Sequence, residues 1–329
     1  MADTKATPKA QKATTAPKDP TAPKAPKAPK RLPLPEQELM YSGHVGCLGC
    51  GACHAMRYTL KATGPRTILS IPACCWAVMP GVFPNTCFSI PHVNTAFEVT
   101  GASISGIRAA LDAKGVKDVA VVGWAGDGGT ADIGIQALSG MVERGTRAIY
   151  VMYDNEAYMN TGIQRSSSTP VGAWTTTTPV GATRDYKKAP KKNIVEIMVA
   201  HGIPYTATAS VAWPKDLIEK VQKAMSVQGP SFLHIFAPCP TGWRHPPELT
   251  LEVARIATYS RVFPIFEVER GVYKVKQHKK EATVKEYLQM QGRFRHLTEE
   301  EIAAIQASVD QAWKVLLAKE KFTTEMARA

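Results

Sequence analysis

Gly126-Asp127-Gly128-Gly129-Thr130, followed after one helix length by Asp154-Asn155-Glu156-Ala157-Tyr158-Met159-Asn160-Thr161-Gly162, decides the fold. Just before it, Val119-Ala120-Val121-Val122-Gly123 has the small and β-branched composition of a short buried parallel strand. The glycines let the backbone turn sharply and bring bare N–H groups close to an anion. A helix expected over roughly Ala131–Arg144 would add its positive end. A second buried strand, Ala148–Tyr153, then delivers Asp154 and Asn155. The two strand ends of this β-α-β unit carry a carboxylate, Asp127, and a carboxamide, Asn155, 28 residues apart. Hard oxygen ligands beside a phosphate-binding turn suit Mg²⁺.

The pattern resembles the thiamine-diphosphate motif, in which Gly-Asp-Gly is followed some distance on by Asn. The resemblance implies Mg²⁺ on the cofactor diphosphate held by Asp127, Asn155 and the Ala157 carbonyl. An ordinary turn would explain the tripeptide alone; the strand–turn–helix–strand setting and the spacing of Asn155 argue against that.

The chain has 329 residues, 44 % of them apolar, enough for one large domain or two small ones. Its formal charge of +12 is unevenly spread. Lys5, Lys9, Lys12, Lys18, Lys24, Lys27, Lys30 and Arg31 face only Asp3 and Asp19, so the first 31 residues hold half the excess. A segment of Ala, Pro, Thr and Lys cannot bury enough apolar area to offset its ordering entropy, so residues 1–35 are expected to be a disordered tail. The basic balance is therefore no argument for nucleic acid as a partner. No apolar run reaches transmembrane length, and the N-terminus lacks the apolar core of a secretory signal. A cytoplasmic protein without a membrane partner is expected.

Seven cysteines carry the second piece of chemistry. Cys47-Leu48-Gly49-Cys50-Gly51-Ala52-Cys53 lies in a glycine-rich loop ahead of an expected helix, Ala55–Ala62, and Cys74, Cys75, Cys87 and Cys239 follow singly or paired. In a cytosolic chain Cys-x-x-Cys means metal or redox chemistry. Zinc would want a second close pair, and the glycines read as a loop wrapped around something rather than a thioredoxin-like dithiol. Cys75 and Cys239, each in a turn of small residues or proline, suit an iron–sulfur cluster assembled from distant loops.

With these cysteines added, the chain resembles the β subunit of pyruvate:ferredoxin oxidoreductase and its relatives, the 2-oxoacid:acceptor oxidoreductases. The resemblance rests on Cys47-Leu48-Gly49-Cys50-Gly51 with Cys75, Asn94 to Glu98, Gly126 to Gly134, Asp154 to Gln164, Trp174 to Gly181, Ala200 to Tyr205, Pro238 to Trp243 and Glu286 to His296. It covers residues 36–318. It implies a thiamine-diphosphate-binding α/β fold, a mostly parallel sheet flanked by helices over residues 36–250. Residues 251–329 are expected to form a helical arm at a subunit interface. The implied cofactors are thiamine diphosphate, Mg²⁺ and a proximal [4Fe-4S] cluster on Cys47, Cys50, Cys75 and Cys239, with Cys74 as the competitor for Cys75. Gly126, Gly128, Gly129, Thr130, Asn160 and Thr161 are candidates for the diphosphate itself.

The implied reaction is coenzyme A-dependent oxidative decarboxylation of a 2-oxoacid, with pyruvate the first expectation and electrons passing through the cluster to ferredoxin or a similar acceptor. The chain carries one such α/β layer, so the glutamate that activates the cofactor is expected on an α subunit, with γ and ferredoxin-like δ subunits completing the enzyme. Around the third cysteine the chain reads Ile71-Pro72-Ala73-Cys74-Cys75-Trp76, a departure from the common pyruvate pattern that leaves phenylglyoxylate, another aryl or branched 2-oxoacid, or oxalate open. Cys74 and Trp76 are the residues expected to shape that pocket. A non-oxidative thiamine decarboxylase or carboligase is the alternative, which the separated cysteines disfavour. A basic zinc-binding nucleic-acid module lacks an aromatic–basic platform outside the tail.

Overall fold

A computed structural model describes residues 34–82 and 84–328; the tail expected over residues 1–35 lies almost wholly outside the described residues. The strands are β1 (Thr67–Pro72), β2 (His92–Thr95), β3 (Ala120–Gly126), β4 (Ile149–Asp154), β5 (Tyr205–Ser210), β6 (Ser231–Phe236), β7 (Ile265–Glu269) and β8 (Val272–Lys276). They form one sheet in the order β2-β1-β3-β4-β6-β5-β7-β8. The six from β2 to β5 run parallel, and β7 and β8 add an antiparallel edge. The helices are α1 (Gly51–Thr63), α2 (Cys75–Val78), α3 (Thr100–Ala113), α4 (Asp127–Ala131), α5 (Ile135–Glu143), α6 (Ile194–Ala200), α7 (Pro214–Ser226), α8 (Pro240–Trp243), α9 (Thr250–Tyr259), α10 (Val284–Gln289) and α11 (Glu299–Met326).

Both faces of the sheet are covered. Ile149, Val151 and Tyr153 of β4 pack into the layer that contains α1, α7, α9 and α10. Tyr150 and Met152 of the same strand pack into the layer built from α3, α5 and α6. A strand buried on both sides has no polar face to show, which is why these stretches read as unbroken apolar runs. Gly101 marks how closely the second layer is packed: a methyl there would sit 2.3 Å from the Ala137 carbonyl oxygen of α5. Gly101→Ala is expected to cost about 1–3 kcal/mol in a denaturant or thermal melt, because backbone rather than a movable side chain is in the way.

The helix expected over 131–144 is a finding to correct. It begins earlier and is broken: α4 starts at Asp127, the chain leaves helical geometry at Asp132 (φ −104°, ψ −91°), and α5 resumes at Ile135. Two contacts explain the break. Asp132 gives its carboxylate to the Tyr158 hydroxyl at 2.8 Å and the Ser167 N–H at 3.1 Å, tying the turn to a distant loop. Gly134 lies so close to the Gly129 carbonyl that a Cβ would be 2.0 Å from it.

Residues 251–329 are joined to the sheet through β7, which pairs with β5. The long α11 opens with a capping box: the Thr298 hydroxyl accepts the Glu301 N–H at 3.3 Å and Glu301 accepts the Thr298 N–H at 2.8 Å. Further along, Thr323 and Glu320 of α11 accept the Tyr273 and Val275 N–H groups at 3.1 and 2.6 Å. The open edge of β8 is thereby occupied, as exposed strand edges usually must be. Among the described residues no helix is long and apolar enough to cross a membrane.

Candidate active site

Parallel strands put their carboxyl ends on one edge of the sheet, where open α/β sheets hold their ligands. Here β1 leads to Cys74 and Cys75, β3 to Asp127, β4 to Asn155 and β6 to Cys239. Neighbouring registers pair Gly126 with Tyr153 and Asp154 with Phe236, so these four segments leave the sheet at nearly the same level.

Three oxygens converge at the first centre. The Asn155 side-chain oxygen lies 3.0 Å from Asp127 Oδ1 and 2.9 Å from the Ala157 carbonyl oxygen, acceptors facing acceptors. Two chemistries relieve such an arrangement: a cation bound among the oxygens, or a rotated carboxamide whose NH₂ donates to both. The donor set fits a hard cation. Asp127 is buried to 1 % exposure, and burial together with the nearby Asp154 charge pushes its carboxyl well above the usual carboxylate range; Ser166 and Lys191 oppose this in part. The Ser166 hydroxyl donates to its Oδ2. A buried carboxylate with no cation against it prefers a proton, and a divalent ion reverses that preference.

The turn that carries Asn155 and Ala157 is fixed from several directions. Glu156, between them, is not a glycine yet has φ 66°, a conformation that costs an ordinary residue roughly 1–2 kcal/mol. Its N–H donates to Asp154 Oδ1 at 2.9 Å, and its carbonyl accepts the Thr169 hydroxyl at 2.7 Å. Its carboxylate meets Lys191 at 2.8 Å and Arg293 at 2.5 Å. Arg293 lies 3.9 Å over the Trp243 ring, and the Trp243 indole N–H donates to the Asn155 carbonyl at 2.7 Å. Asp154 accepts from Lys191 and pairs with His234, both at 2.6 Å. Burial alone would raise the Asp154 carboxyl, but Lys191 and His234 hold it down at about 2. Burial keeps His234 neutral despite that partner, in keeping with a hydrogen-bonded core histidine.

The second centre is the cysteine cluster. Gly51 N–H donates to the Pro238 carbonyl at 3.0 Å, and a Cβ on Gly51 would be 2.7 Å from that same oxygen. The loop bearing Cys47 and Cys50 is thus clamped against the one bearing Cys239. Gly49, at φ 69°, presses on Pro247, where a Cβ would be 2.3 Å from the carbonyl oxygen, and its own carbonyl accepts the Thr250 hydroxyl at 2.6 Å. Burial and the neighbouring Cys74, Cys239 and Cys50 thiols push Cys75 up to about 12. Cys239 is pushed up to about 11 by burial, with Cys50 and Cys47 adding to it. Cys50 goes the other way and is held down at about 7, chiefly by the Cys53 thiol hydrogen bond. Thiols from three separate segments that feel one another are suited to a metal centre that binds them as thiolates. Cys74 has different surroundings, the Tyr153 hydroxyl and the Gly126 N–H beside the diphosphate turn. Among the described residues no three Cys, His, Asp or Glu side chains close to the spacing of a single bound ion.

Other expected residues are placed differently. Thr130 is fully buried, donates its hydroxyl to the Gly126 carbonyl at 2.8 Å and accepts from Tyr150 at 3.3 Å, so its side chain is engaged inside the fold. Asn160 is exposed, and Thr161 spends its hydroxyl on Gln164 at 2.5 Å. Gly128 and Gly129 lie under Tyr158 and Phe97, where a Cβ would be 2.2 and 3.1 Å from the rings. Trp76, expected to shape a substrate pocket, is instead a fully buried core residue stacked on Phe88 at 5.5 Å. Arg293, in a charged run with Arg295 and His296, is 2 % exposed. Cys87 is buried, and Cys53 sits half-buried 4.0 Å from the His44 ring and 3.9 Å from the Met79 sulfur. Ser166 and Lys191 carried no signal of their own in the sequence.

This arrangement defines a thiamine-diphosphate-binding domain, and the family profile described as "Thiamine pyrophosphate enzyme, C-terminal TPP binding domain" matches residues 75–235. The chain is 53 % identical over 294 residues to the ketoisovalerate oxidoreductase subunit VorB of Pyrococcus abyssi, covering 87 % of this chain and 94 % of that one. It is 47 % identical over 293 residues to the pyruvate synthase subunit PorB of Methanocaldococcus jannaschii, covering 87 % and 98 %. Among solved structures, the 2-oxoglutarate:ferredoxin oxidoreductase of Magnetococcus marinus shares the fold, with a TM-score of 0.54 and 22 % identity over 68 % of this chain and 80 % of that one. The chain belongs to the β subunits of the 2-oxoacid:ferredoxin oxidoreductases.

Proposed function

We propose that this subunit supports coenzyme A-dependent oxidative decarboxylation of a short aliphatic 2-oxoacid. The observation that carries the reading is the presence on one chain of a hard-oxygen set at the ends of β3 and β4 and of cysteines at the ends of β1 and β6, with the loop bearing Cys47 and Cys50 clamped against the latter. A non-oxidative thiamine enzyme needs only the first. Thiamine diphosphate, when bound, supplies the carbanion that adds to the 2-oxo carbon and holds the electrons left by loss of CO₂.

In this reading Asp127, Asn155 and the Ala157 carbonyl hold Mg²⁺ on the diphosphate, and the Gly128 and Gly129 N–H groups approach its oxygens. Cys47, Cys50, Cys75 and Cys239 would hold a [4Fe-4S] cluster, which would accept electrons one at a time. The electrostatic neighbours of Cys75 favour it over Cys74 as the ligand, and Cys74 beside Gly126 is left facing the reacting region. Overall a 2-oxoacid and coenzyme A become an acyl thioester, CO₂, one proton and two electrons. The activating glutamate comes from an α subunit, and ferredoxin or a similar carrier takes the electrons. Val315, Phe322 and Met326 of α11, 45 %, 63 % and 62 % exposed, suit contact with such partners.

Cation affinity is expected to rise with pH. Asp127 must lose its proton to bind Mg²⁺, and its raised carboxyl keeps that proton above the ordinary range. A titration of Mg²⁺ against cofactor retention at several pH values checks this; a flat profile would count against Asp127 as a ligand.

For the substrate, the sequence expectation is pyruvate, while the greater identity to a ketoisovalerate oxidoreductase subunit makes a branched acid the stronger candidate. The deciding assay is acyl-coenzyme A formation by the purified complex under anaerobic conditions, with pyruvate and ketoisovalerate side by side and a viologen as acceptor. A kcat/KM at least about tenfold higher for the branched acid, about 1.4 kcal/mol of discrimination, is expected. A preference for pyruvate would return the assignment to pyruvate synthase.

A further inference from the structure

We infer that Glu156 and Arg293 are positioning residues that aim the Asn155 and Ala157 oxygens at the cation, an inference that rests on the metal site proposed above. Glu156 is flanked by the two candidate ligands and sits at φ 66°, where a glycine would be unstrained. The chain instead carries a glutamate there, and its carboxylate is wholly committed: Arg293 takes Oε2 at 2.5 Å and Lys191 takes Oε1 at 2.8 Å. Arg293 and Glu156 are each 2 % exposed and 137 residues apart in sequence. A buried ion pair of that kind is a weak source of stability but a strong geometric constraint, since removing either partner strands a charge.

The constraint reaches the ligands on both sides. Arg293 is stacked on Trp243, whose N–H holds the Asn155 carbonyl, and Gln291 receives the rest of the guanidinium at 2.8 and 3.0 Å. On the other side the Glu156 carbonyl is held by Thr169, whose hydroxyl also accepts the Ser166 N–H at 3.0 Å, and Ser166 donates to Asp127. All three candidate ligands are therefore fixed through one connected set of contacts, and the far C-terminal segment supplies a member of it. Groups behind metal ligands commonly govern affinity because they set ligand orientation.

The test uses Mn²⁺ as the probe, with free Mn²⁺ read by electron paramagnetic resonance in the thiamine-diphosphate-loaded complex. Arg293→Met and Glu156→Gly are each expected to weaken Mn²⁺ binding about 10–100-fold, with Arg293→Lys recovering part of it. The glycine variant separates the readings, because a residue needed only for its backbone turn would tolerate it without loss. Trp243→Phe keeps the stack and removes only the N–H given to Asn155, and it serves if Arg293→Met does not assemble. Affinities within about twofold of wild type in Glu156→Gly and Trp243→Phe, with Asn155→Ala strongly impaired, would overturn the inference while leaving the metal site standing. Unchanged affinity in Asn155→Ala as well would overturn the metal site and the inference with it.

Discussion

Asp127→Asn is expected to abolish retention of thiamine diphosphate while making the cofactor-free chain more stable. The carboxylate is buried and accepts the Ser166 hydroxyl, and among the described residues no cationic side chain is bonded to it. The carboxamide keeps an oxygen for Ser166 and removes the charge that the interior resists. Leaving a buried charged group poorly satisfied costs about 1–3 kcal/mol, and that is the gain expected in melts of the cofactor-free protein. The sign with pH follows from the direction of the shift. A carboxyl raised in the folded state contributes stability fully below its unfolded value near 3.9, and that contribution is lost as pH rises through the folded value. Wild-type stability without cofactor should therefore fall with pH above the ordinary carboxylate range, and the Asp127→Asn profile should be flatter. With cofactor and Mg²⁺ present the order reverses, because only the wild type gains binding energy. A variant that still retains the cofactor would remove Asp127 from the ligand set.

The second large effect is expected from a pair of neighbours. Cys75→Ser should lose iron and visible absorbance, since serine oxygen is a poor replacement for thiolate on iron. Cys74→Ser should keep both and alter turnover, because the Cys74 thiol is hydrogen-bonded to the Tyr153 hydroxyl and the Gly126 N–H beside the diphosphate turn, whereas Cys75 feels the Cys239 and Cys50 thiols as well as Cys74. Iron analysis of the two purified complexes reads this directly. Iron lost from Cys74→Ser and kept in Cys75→Ser would exchange the two roles.

The parts legible in the sequence are those whose chemistry is local. Strands β3, β4 and β6 announce themselves because burial on both faces leaves only apolar residues, and the glycines of residues 126–129 mark a sharp turn before any partner is known. The Thr298 capping box is equally local, needing a hydroxyl and a glutamate three residues on. What stayed hidden depends on contacts between distant segments. The break after α4 is imposed by Tyr158 and Ser167 gripping Asp132, and neither lies near it in the chain. Arg293 sits in a run with Arg295 and His296 that looks like any charged surface, and its burial is decided by Glu156 and Trp243. Trp76 next to Cys75 suggested a pocket wall, but the side chain turns into the core against Phe88 and Trp124. Thr130 has the right chemistry for a phosphate oxygen, and only the structure reveals that its hydroxyl is already bonded to Gly126 and Tyr150.

The most direct test of the account mixes the purified anaerobic complex with a 2-oxoacid and coenzyme A and follows visible absorbance together with the paramagnetic signal. Oxidative chemistry predicts that ketoisovalerate or pyruvate bleaches the iron–sulfur absorption within a turnover and yields a radical or reduced-cluster signal. Release of CO₂ with unchanged absorbance and an aldehyde as product would contradict it and leave a non-oxidative thiamine enzyme.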